Sequence, residues 1–137
     1  MNAIVIDASI TAAWCFEDEQ TEYARHLLKR SKDLKLYAPA IWPLEMAKVL
    51  VVNERKKRIT SADTVQFVKL LSELDIQVDR PPVMQPFDAT LLLVRTYNLS
   101  AYDAAYLELA LREGVPLATL DNQLRQAAVI AGVAVHA

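Results

Sequence analysis

The run Ile4-Val5-Ile6, closed by Asp7, constrains this chain more than any other feature. A strand turns successive side chains to opposite faces, so three apolar β-branched residues in a row predict a strand covered on both sides. That is the pattern of a parallel sheet held between helix layers, not of a half-exposed antiparallel strand. Leu36-Tyr37-Ala38 before Pro39, Ile76-Gln77-Val78 and the stretch Val115 to Leu120 read as further short strands, and Val133-Ala134-Val135 closes the chain. Helical spacing fills the intervals. A short helix is expected over Ile10–Phe16, one from Thr21 through Lys32, one from Pro43 to about Lys57, and one opening at Thr60-Ser61-Ala62-Asp63. Others follow over Phe87–Tyr97, Tyr102–Glu113 with Gly114 beyond its end, and Asp121–Ala131. Strands alternating with helices predict an α/β fold in three layers around a mostly parallel sheet, and in such folds the working crevice lies beyond the carboxyl ends of the strands.

Composition narrows the chemistry. The 137 residues amount to a single domain, 1–137, with 53% hydrophobic residues and a net charge of −2. One cysteine, Cys15, and two histidines, His26 and His136, exclude a disulfide framework and a Cys/His metal site. Two glycines, Gly114 and Gly132, exclude a glycine-rich phosphate loop. Met1-Asn2-Ala3-Ile4 carries no basic leader, and no apolar run is long enough to span a bilayer, so a cytoplasmic protein without a membrane role is expected.

Four acids stand where surface charge is not expected. Asp7 follows Ile4-Val5-Ile6, and Asp121 follows Leu117-Ala118-Thr119-Leu120. Glu45 lies in Ile41-Trp42-Pro43-Leu44-Glu45-Met46-Ala47, and Asp103 in Ala101-Tyr102-Asp103-Ala104-Ala105-Tyr106-Leu107. Taken singly, an aspartate at a helix start is an ordinary cap or dipole partner. Taken together, acids converging on one crevice repel by roughly 4 kcal/mol per pair about 4 Å apart at an effective dielectric near 20. Such a set either takes up protons or binds a cation, and an all-oxygen set prefers Mg²⁺ or Mn²⁺.

These segments resemble the PIN-domain nucleases, and among them the VapC-type toxins of toxin–antitoxin pairs. The matching pieces are Ile4-Val5-Ile6-Asp7-Ala8-Ser9 with Trp14 downstream, Pro43-Leu44-Glu45-Met46-Ala47, Leu99 through Leu107, and Ala118-Thr119-Leu120-Asp121, in that order along the chain. The resemblance implies a five-stranded parallel sheet flanked by helices. It implies that Asp7, Glu45, Asp103 and Asp121 form an acidic pocket for Mg²⁺ or Mn²⁺, with Asp7 and Asp103 as metal ligands and Ser9 and Thr119 orienting the site. The implied activity is metal-dependent endoribonuclease cleavage of RNA. The implied partners are a VapB-type antitoxin and a second copy of the chain in a homodimer. Two positions depart from the pattern: Lys48 stands where many relatives carry Asn, and Asn122-Gln123 follow Asp121 where some carry a further acid.

The basic residues Lys48, Arg55, Lys56, Lys57 and Arg58 are candidates for gripping an RNA backbone, or a solvated helix end suited to the dipole. Tyr37, Trp42, Tyr102 and Tyr106 either stack on bases or pack in the core. Ile10, Ala13 and Trp14 make an apolar helix face that is either core or a groove for a partner helix. A haloacid-dehalogenase-type phosphatase needs a second Asp where Ser9 stands, and a response-regulator receiver needs a phosphoacceptor Asp on a middle strand; neither pattern is present. The remaining alternative is a degenerate PIN-like binding module without catalysis.

Overall fold

The apolar opening run is strand β1 (Ala3–Ile6), and the covering expected of it is found on both faces. The computed structural model describes residues 2–136; Met1 and Ala137 lie outside them. Ala3 and Val5 point into one core, with Trp42, Met46, Leu107 and Leu124, whereas Ile4 and Ile6 point into a second, with Ile10, Trp14, Leu27 and Leu36. Every residue of β1 is buried, so at roughly 1.5–3 kcal/mol for each buried Val or Ile side chain this short strand anchors both layers.

The chain continues through α1 (Ala8–Cys15), α2 (Glu22–Arg30), β2 (Lys35–Ala38), α3 (Trp42–Arg55), α4 (Ser61–Glu73) and β3 (Ile76–Val78). It ends through α5 (Leu91–Tyr97), α6 (Ala101–Glu113), β4 (Leu117–Ala118) and α7 (Asn122–Ile130). The strands are parallel and ordered β3-β2-β1-β4, with Ile4 opposite Leu36, Leu36 opposite Ile76, and Val5 opposite Leu117. The chain first builds outward from β1 to β3 and then returns to add β4 on the other side of β1. The strand order therefore reverses between β1 and β4, where a crevice opens at the carboxyl ends.

The α/β fold with its parallel sheet is as expected, but the sheet has four strands, not five. Val133-Ala134-Val135 runs beside β4 and makes one isolated bridge, Leu117 to Val135. The Leu117 N–H donates to Ala134 at 2.9 Å and the His136 N–H donates to Leu117 at 3.0 Å, but β4 is only two residues long and offers no further register. The helix expected over Phe87–Tyr97 divides into a wide turn, Pro86–Thr90, and α5, because Leu91 reaches back five residues to the Pro86 carbonyl. Trp14 belongs to the core: it is 4% exposed and its indole N–H donates to the Ala24 carbonyl at 2.8 Å, so the α1 face is no free partner groove. Among the described residues no helix is long and apolar enough to cross a membrane.

Candidate active site

Asp7 leaves the end of β1 and caps α1. Its Oδ1 accepts from the Ile10 N–H at 3.1 Å and from the Ser9 hydroxyl at 2.6 Å, and its Oδ2 accepts from the Thr119 hydroxyl. Ser9 and Thr119 stitch the two strand ends together, because the Ser9 hydroxyl accepts from the Leu120 N–H at 2.9 Å and the Thr119 hydroxyl accepts from the Asp121 N–H at 3.0 Å. A carboxylate offers about four lone-pair sites. Two protein donors fill those of Oδ1, and Thr119 takes one on Oδ2, so one direction on Oδ2 remains for a ligand.

Asp121 follows β4 after Thr119 and Leu120 and caps α7, accepting from the Leu124 N–H at 3.0 Å. The structural role of an aspartate at a helix start is thus real for both strand-end acids. Asp103 is different. The start of α4 is a closed capping box, in which the Asp63 carboxylate returns to the Thr60 N–H at 2.9 Å. At the start of α6 the Ser100 hydroxyl accepts from the Asp103 N–H at 3.1 Å, but the return bond is not made. Among the described residues the Ser100 hydroxyl, which pulls the Asp103 carboxyl down, is the one donor set against that carboxylate. Glu45, on the first turn of α3, accepts at Oε1 from the Tyr106 hydroxyl at 2.5 Å, which leaves Oε2 without a protein donor.

Mutual repulsion links the four acids. Burial pushes the Asp7 carboxyl up; Ser9, Thr119 and the Ile10 N–H pull it down, and the Asp103 charge pushes it up again. Burial also raises Glu45, with Asp103 and Asp7 adding to the rise and Tyr106 and Lys48 opposing it. Asp103 is raised by burial and by the charge of Asp121. Among the described residues, no three acid, histidine or cysteine side chains close on a common point. Asp7 and Glu45 are held by their hydrogen-bond donors.

Raised carboxyls have a consequence for stability. A group whose pKa is higher folded than unfolded contributes its full stability below the unfolded value and loses it as pH rises through the folded value. The urea midpoint of the metal-free protein is therefore expected to fall as pH rises above the ordinary carboxylate range. Asp103→Asn should make that fall shallower. His136, whose pKa is lowered by burial and by Arg30 and His26, has the opposite sign, so the measurement is the difference between the two proteins. Equal slopes in both would contradict the raised values.

The basic candidates separate. Lys48 is exposed and lines a groove of about 610 Å³ with Glu45, Leu44, Val52 and Tyr102. Arg55, Lys56 and Lys57 are exposed at the end of α3. Arg58 is committed within the chain: it pairs with Asp18 at 2.7 Å, donates to Asn53 at 2.6 Å and lies 5.4 Å from the centre of the Phe16 ring. Of the aromatic candidates, Trp42 and Tyr106 are core, Tyr37 is half-buried, and Tyr102 is 59% exposed at the groove. The Tyr106–Glu45 bond was not expected from the sequence, although Tyr106 lies three residues after Asp103 and so shares its helix face.

Comparison with known proteins places the fold. No curated protein matches the chain by sequence. Among solved structures it is similar to PAE2754 from Pyrobaculum aerophilum, at 24% identity over 92% of this chain and 86% of that one, with a TM-score of 0.72. It is similar to FitAcB from Neisseria gonorrhoeae, at 18% identity over 98% and 96% of the two chains, with a TM-score of 0.67. It is also similar to VapC20 from Mycobacterium tuberculosis, a toxin that cleaves the sarcin-ricin loop, at 18% identity over 90% and 94%, with a TM-score of 0.66. These likenesses are of fold. The family model of the PIN domain matches residues 4–130, nearly the whole chain, and the chain therefore belongs to the PIN-domain family.

Proposed function

We propose that the protein is a metal-dependent endoribonuclease acting as the toxin of a toxin–antitoxin pair. The observation that carries this reading is the Asp103 carboxylate, which makes no return bond to close the cap of α6 and whose charge raises Asp7 and Glu45. Family membership and the toxin among the structural neighbours support it. An antitoxin partner and a homodimer are part of the same reading.

The donor set fits a hard divalent cation. It is all oxygen, it is anionic, and it keeps free positions on Asp7 Oδ2, Glu45 Oε2 and Asp103. Asp7 and Asp103 would hold the ion, with Glu45 and Asp121 beside it or holding its waters. When bound, such an ion lowers the pKa of water and polarises a phosphodiester. The chain supplies the rest. Ser9, Thr119 and the Ile10 N–H fix Asp7 and favour its charged form against the effect of burial. Glu45 Oε2 receives the proton of the attacking water, a task suited to a carboxyl whose proton affinity is raised. Exposed Lys48 and the Arg55–Lys57 cations hold the RNA backbone, while Tyr102 offers a ring to a base.

The absence, among the described residues, of three acids gathered on one point favours a second reading, a PIN-like binding module without catalysis. One experiment separates them. Purified protein is incubated with a mixed RNA in Mg²⁺ or Mn²⁺ and again with EDTA. Discrete products that disappear with EDTA are expected. No cleavage together with no carboxylate-dependent Mn²⁺ uptake would favour the binding module.

A further inference from the structure

The Tyr106 phenol occupies the middle of the acid set without itself being part of it. Its ring is 1% exposed, and its hydroxyl donates to Glu45 Oε1 at 2.5 Å across 61 residues of chain. The Ala8 N–H, directly after Asp7, acts on the same phenol oxygen. Tyr106 itself lies on α6, one turn after Asp103. One hydroxyl therefore ties α3, which carries Glu45, to α6, which carries Asp103.

A buried phenol needs a partner, but a backbone carbonyl would have met that need. Here the partner is a carboxylate surrounded by like charges. Repulsion from Asp7 and Asp103 drives Glu45 to rotate outward toward the exposed groove beside Lys48. A hydrogen bond to an ionised acceptor opposes that rotation more strongly than a neutral pair would. It also assigns the oxygens: with Oε1 held by Tyr106, Oε2 is the one left without a protein donor among the described residues.

We infer that Tyr106 is a positioning residue of the acid pocket, acting through Glu45 by holding Oε1 so that Oε2 is presented to a bound divalent cation or its water. The inference rests on the metal-site reading given above. It adds a role for a residue whose burial alone suggests only packing.

The test is a Mn²⁺ titration by calorimetry of four proteins: wild type, Tyr106→Phe, Glu45→Gln and the double variant. Phe keeps the ring and its packing, and the urea midpoint of each protein checks the fold. Residues that orient metal ligands typically change affinity by about 10–100-fold when removed. Tyr106→Phe is expected to weaken Mn²⁺ binding about 10-fold in the wild type and less than about twofold in the Glu45→Gln background, because its effect runs through Glu45. Unchanged affinity in Tyr106→Phe, or the same loss in both backgrounds, overturns the assignment while leaving the metal site standing. A wild-type protein that takes up no Mn²⁺ overturns the metal-site reading and the assignment with it.

Discussion

Asp103→Asn is expected to lower RNA cleavage by about 10³-fold, ~4 kcal/mol of transition-state stabilisation, and at the same time to make the metal-free protein more stable. The two effects share one cause. Asp103 raises Asp7 and Glu45 and is itself raised by burial and by Asp121. Removing its charge relieves a half-screened repulsion of about 0.5–1 kcal/mol, or roughly 2–4 °C in Tm. The cap at the start of α6 survives the change, because the Ser100 hydroxyl accepts from the Asp103 backbone N–H. Activity assays and thermal melts in EDTA check both halves. A variant that loses activity and also melts lower would mean that Asp103 holds the fold together instead of straining it.

The second large effect is stabilisation by metal. An ion that binds only the folded protein adds RT ln(1 + [L]/Kd), about 2.7 kcal/mol at 100 times Kd, or roughly 8 °C for a domain of this size. Mn²⁺ is expected to raise the Tm of the wild type by that order and to reverse the decline of stability toward alkaline pH, since the cation offsets the charges that cause it. Asp103→Asn should show little of the rise. A melting temperature that Mn²⁺ leaves unchanged in both proteins would argue for the binding module.

Much of this architecture was legible in the residues. Ile4-Val5-Ile6 announced a strand covered on both faces, and the split of Val5 and Ile6 between two cores is its physical content. The places of Asp7 and Asp121 at adjacent strand ends followed from position alone. The fifth strand did not follow, because an apolar tripeptide reports its hydrophobicity and not the length of its neighbour, and β4 is too short to register Val133-Ala134-Val135. The difference between Asp63 and Asp103 was also hidden. Thr60-Ser61-Ala62-Asp63 and Ser100-Ala101-Tyr102-Asp103 have the same spacing, yet only the first closes its box. Tyr106 and Glu45 are joined across the fold, a pairing that no local pattern encodes. The same holds for Arg112, which pairs with Asp79 at 2.6 Å and Glu108 at 2.9 Å and had no signature beyond the i, i+4 spacing to Glu108.

The double duty of the strand-end acids shapes how such a chain could lose its chemistry over evolutionary time. Asp7 and Asp121 each cap a helix, so a neutral substitution there other than Asn, Ser or Thr removes a cap worth about 1 kcal/mol along with the charge. Asp103 carries no such second task, and its loss relieves strain. Drift toward an inactive binding domain therefore runs downhill through Asp103 and uphill through Asp7 and Asp121. A relative that has abandoned catalysis should betray itself first on α6, with its strand-end aspartates still in place as fossils of helix geometry. In this chain Asp103 is intact, at the position that is cheapest to lose.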